Sequence, residues 1–90
     1  MITIEKAKLA VIAVAEKING VEVHMFPQST WFGFTADLEV TSDAAYDAFH
    51  DVVTELGMTP SVERVFALDA GKRGLRVVID VPEGWQPPTR

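Results

Sequence analysis

Few side chains in this chain can move protons or hold metals near neutrality: two histidines, thirteen carboxylates and no cysteine in 90 residues. The absence of thiols excludes cysteine nucleophiles, disulfide scaffolds and thiolate metal sites together. His50 and Asp51 follow Asp47 by three and four residues. On a helix that spacing turns all three to one side, where they offer two or three ligands to a divalent ion. The set is short of a closed zinc site and opens onto water. The sequence therefore predicts a solvated histidine among acids, with no metal and no cofactor.

Nucleophilic and phosphate chemistry find little support. No serine stands in a G-x-S-x-G elbow or close to a histidine and an acid. The glycine-basic cluster Gly71-Lys72-Arg73-Gly74 lacks Walker spacing and falls between strands rather than before a helix. It reads as a solvated hairpin tip, with a small anion or partner contact by Lys72 and Arg73 as the sharper alternative. No enzymatic activity is expected.

Two surfaces remain. His24, Trp31 and Arg76, with Thr35, can share the outer face of a sheet and line a shallow ligand surface. Trp31 is there either a binding anchor or, the preferred reading, a structural side chain covered by Trp85 or the proline tail. The second surface is a carboxylate row: Asp43, Asp47, Asp51 and Glu55, each four residues from the next. Like charges at this spacing destabilise a helix by about 0.2–0.5 kcal/mol per pair. Asp43 suits the positive helix start, Glu55 opposes the negative end, and no lysine or arginine lies between them. The row is either a solubilising face or a surface that steers a basic partner.

The elements that position these groups are legible from periodicity. A first helix is predicted over residues 4–19 with Gly20 as its stop. Its main apolar face is Ile4, Ala7, Val11, Val14, Ala15 and Ile18, but Leu9 and Ile12 fall outside it. Either the fold covers that second side or it meets a partner, including a second copy of the chain. Strands are predicted over residues 21–26 and 31–40, joined by a turn at 27–30. Phe32, Phe34, Ala36, Leu38 and Val40 are placed inward. The second helix is expected between an N-cap at Ser42 and a stop at Gly57, with Ala45, Tyr46, Phe49, Val52, Val53 and Leu56 toward the core. Residues 59–61 read as a connector, 62–68 and 75–81 as strands, and 69–74 as the loop between them.

The order α-β-β-α-β-β predicts an α+β two-layer sandwich: a four-stranded, mainly antiparallel sheet with both helices on one face. This is the topology a ferredoxin-like sandwich acquires when its first strand is moved to the end. Residues 1–82 are expected to form a single domain, followed by an extended proline-rich tail at 83–90.

The net charge of -5 disfavours generic nucleic-acid binding, though the basic tip keeps a nucleic-acid contact as one alternative. Lys and Arg are absent between Ile18 and Glu63. No run approaches the roughly 20 apolar residues of a membrane span. The run 9–15 after Lys6 and Lys8 is expected to remain a helix rather than serve as a cleaved signal, because Glu5 interrupts the basic region. The sequence thus points to a small acidic, cytoplasmic, non-enzymatic protein-binding module: a regulator, inhibitor or adaptor, with phage, mobile-element or immunity-type roles suiting its size. Its second helix would dock a basic partner through Asp43, Asp47, Asp51 and Glu55, and Leu9 and Ile12 are candidate contacts for a partner or a homodimer. The alternative is a small-ligand or enzyme domain using the outer sheet face.

Overall fold

The computed structural model describes residues 3–88. The elements are α1 (Thr3–Ala15), β1 (Val21–Ser29), β2 (Gly33–Val40), α2 (Asp43–Glu55), β3 (Thr59–Ala67), a short 3-10 turn (Asp69–Gly71) and β4 (Arg73–Asp80). The strands form one sheet in the order β1-β2-β4-β3, antiparallel throughout. That order is the one the permuted ferredoxin-like topology requires.

Alternation along the central strands explains the layering. Phe34, Ala36, Leu38 and Val40 of β2 and Leu75, Val77 and Ile79 of β4 are buried. They form one core with Ala7, Val11 and Ala15 of α1 and Phe49 and Val53 of α2. Both helices therefore cover the same face, and the opposite face is bare. It carries Glu22, His24, Asp37, Glu39 and Arg76 at part-exposed or exposed positions.

α2 closes as its sequence directs. Ser42 is extended, and its Oγ accepts a 3.0 Å hydrogen bond from the Ala45 amide at the start of α2. Gly57 leaves α2 at φ +93°, a conformation that favours glycine. α1 ends at Ala15, earlier than predicted, because the amides of Lys17 and Ile18 tighten onto the carbonyls three residues back before Gly20 turns the chain at φ +88°. 

Both outer strands run through a proline that the periodicity treated as a break. Pro27 lies inside β1 and Pro60 inside β3. Proline is tolerated there because both strands are sheet edges, where an absent N–H need cost no ladder bond. Consequently β1 extends to Ser29, and the predicted connector at 59–61 is strand. The same shift starts β2 at Gly33, so Phe32, predicted inward, lies in the hairpin tip with 73% of its surface exposed.

Two buried side chains tie the outer parts to the core. Lys8 is only 7% exposed, and its Nζ donates to the carbonyls of Phe26 and Pro27 where the β1 register shifts. Trp85 is buried in the core cluster, and its Nε1 donates 2.6 Å to the Leu56 carbonyl at the end of α2. It thereby satisfies one of the helix's free C-terminal acceptors.

Candidate functional site

The carboxylate row does not stay over one surface. Four residues of helix turn about 400°, so each step rotates the row by about 40°. Asp43 and Asp47 lie on the side of α2 that meets the sheet at β3, while Asp51 and Glu55 wind away from it. A groove of about 360 Å³ runs between α2 and β3, floored by Val40, Val62, Val65 and Leu75 and flanked by Tyr46, with Asp43, Asp47 and Arg73 at its rim.

The groove exists because the helix layer leaves the later part of β3 uncovered. Val62 and Val65 occupy the core-facing register of β3, opposite Val77 and Leu75. Yet they are 42% and 59% exposed, since α2 covers only the start of β3, where Pro60 is buried. An edge strand with uncovered β-branched residues offers both apolar contact and backbone hydrogen bonds.

The rim is not uniformly negative. Arg73 pairs with Asp43, and His50 Nδ1 lies 3.7 Å from Asp51. Among the described residues Asp47 and Glu55 make no ion pair, so Asp47 is the free charge beside the groove. Burial raises the Tyr46 hydroxyl above its ordinary pKa of 10.0, and the Asp47 charge adds to that. The ring of Tyr46 also lies 6.1 Å from that of His50.

The remaining candidates are dispersed. Leu9 is 66% exposed on α1, and Ile12 is half-buried against Val21 and Val23 of β1. His24 and Arg76 do share the bare sheet face, on either side of Asp37 in the strand register. Arg76 is held there: it bonds both Asp37 oxygens at 2.9 and 3.1 Å and stacks between the rings of Phe26 and Phe66. This hydrogen-bonded guanidinium lowers the Asp37 carboxyl below its ordinary range.

Trp31 does not join them. It lies in the β1–β2 tip, beyond the strand start at Gly33 and thus more than about 13 Å along β2 from the Asp37 rung. Far from being covered by Trp85 or the tail, it is 91% exposed beside Ile4, Glu5 and residues 81–84. Thr30 ties the tip by accepting at Oγ1 from the Phe32 and Gly33 amides. In the basic loop, Lys72 lies 3.9 Å from Glu39 and Arg73 pairs with Asp43, so its cations face acids of this chain.

Sequence reasoning missed Val62 and Val65 as surface residues, because alternation assigns a face without saying whether a helix reaches it. Strand alternation sets Glu22 beside His24, but sequence reasoning missed Glu39 as their neighbour, for which the register of β1 against β2 is needed. No protein-family model, curated protein or solved structure matches the chain.

Proposed function

We propose that this chain is a non-enzymatic protein-binding module, acting as a regulator, inhibitor or adaptor, that docks a basic partner along α2 and the groove beside it. The observation that carries the reading is the juxtaposition of Asp47, which has no ion-pair partner among the described residues, with the uncovered valines of β3. Charge on the rim steers encounter, and apolar contact with edge-strand backbone supplies adhesion. A two-fold pairing of two copies through this groove would set one acidic helix against the other, which favours a different chain as occupant. The cysteine-free composition suits a reducing compartment, and the cytoplasm is the location proposed with it.

The test is a quantitative pull-down from host lysate with the parent, with Asp47→Lys plus Asp51→Lys, and with Val65→Asp. Circular dichroism first establishes that each variant is folded. Basic partners retained by the parent should be depleted by both variants. Equal recovery across all three proteins overturns the proposal.

A further inference from the structure

We propose that Glu22, His24 and Glu39, on the bare sheet face and away from the groove, form a binding site for a divalent transition-metal ion, with Zn²⁺ as the reference ion. Glu22 and His24 are two residues apart on β1 and so project from the same face. The antiparallel register sets Glu39 of β2 directly opposite Glu22. All three side chains thereby converge, with one ligand atom from each lying within 4.8 Å of the others.

The spacing is close to what an ion needs. Donors bound tetrahedrally at 2.0–2.1 Å stand about 3.3 Å apart. His24 Nε2 lies 3.1 Å from Glu39 Oε2 and 3.8 Å from Glu22 Oε1. Side-chain adjustments of well under 1 Å bring His24 to that separation from each glutamate, and the two carboxylates, within 4.8 Å of each other, close the remaining distance by rotation at the exposed surface. The backbone that carries them is a paired ladder, which fixes their relative positions.

The local electrostatics independently favour a cation. Two glutamates directly opposite across a strand pair repel each other, which weakens the sheet unless a positive charge lies between them. Among the described residues the nearby cations are poorly placed for that role. Lys72 approaches the other Glu39 oxygen, at 3.9 Å, and Arg76 is committed to both oxygens of Asp37. His24 itself is the nearest group, and it serves as ligand through Nε2. One imidazole and two carboxylates suit Zn²⁺, Mn²⁺ or Fe²⁺ better than Ca²⁺, which takes six or more oxygens. Three protein ligands leave a position open to water. The helical set Asp47–His50–Asp51 is not gathered in the same way, and among the described residues it forms no such group.

The experiment is a titration of the full, chelator-treated chain with ZnCl₂ by isothermal calorimetry, paired with imidazole NMR of the parent protein. One ion should bind per chain, shifting the His24 ring resonances and not those of His50. His24→Gln and Glu39→Gln should each weaken binding at least about tenfold, since loss of even a residue that only supports a ligand costs that much, whereas His50→Gln should leave it unchanged. Three results overturn the site: no saturable binding, equal binding by the His24 and His50 variants, or Ca²⁺ bound as tightly as Zn²⁺. The NMR readout on the unmodified chain decides the question even if a variant fails to fold.

Discussion

Asp47 and Tyr46 make the character of the groove measurable, because the chain has one tyrosine. Ultraviolet titration of that residue should give a pKa above 10.0, as burial disfavours the phenolate and Asp47 repels it. Asp47→Asn should lower that value without returning it to the ordinary one, since burial is the larger cause. An unshifted parent value would place Tyr46 in water and dissolve the wall of the groove. Asp37 offers a second test at this scale. Its carboxyl is held below the ordinary 3.8 by the Arg76 hydrogen bond, so its contribution to stability is complete above that value. It is lost as pH falls through the folded value. Arg76→Ala should therefore flatten the acid limb of melting temperature against pH and leave its neutral slope unchanged. Individual residues were unevenly legible in sequence: the carboxylates of α2 declare themselves by spacing, whereas the Asp37–Arg76 pair joins positions 39 residues apart through a register that no local pattern reports.

The elements follow from local signals wherever those signals agree. Ser42, Asp43 and Gly57 bracket α2, and the structure keeps the cap. Ser42→Ala should cost about 1 kcal/mol in urea unfolding, because the Ala45 amide loses its acceptor. A change below a few tenths of that would mean water replaces the cap fully. Where signals conflict, the sheet decides. Pro27 and Pro60 read as breaks, but their strands end up at the edges, where a missing N–H is harmless. Lengthening β1 to Ser29 moves the turn and leaves Trp31 and Phe32 at its tip. α1 shows the complementary case. Leu9 and Ile12, which its main apolar stripe could not absorb, divide between solvent and the flank of β1. Light scattering on Leu9→Asp tests whether that exposed leucine joins copies: a parent dimer that becomes a monomer supports the contact, and an unchanged mass removes it.

Across the whole molecule, the separation of charge along the sequence is partly undone by folding. The stretch from Ile18 to Glu63 lacks Lys and Arg, but Arg73, Lys72 and Arg76 of the last hairpin reach back to Asp43, Glu39 and Asp37. Among the described residues the acids left without a basic partner are spread from both helices to β3 and the last turn, and Asp47 is the one that borders the exposed valines of β3. Steering by the row and steering by the net charge of -5 therefore make different predictions. Asp47→Lys plus Asp51→Lys and Glu16→Lys plus Glu83→Lys change the net charge equally, since all four acids are exposed and each becomes a lysine. With a partner purified from the pull-down, stopped-flow association should slow much more for the α2 pair than for the distant pair. The gap should narrow as salt is raised from 50 to 500 mM, on the order of a threefold shortening of the screening length. Equal slowing by both pairs would assign the attraction to the overall field. The groove would then keep its apolar role alone, because Val62 and Val65 act at contact and are indifferent to salt.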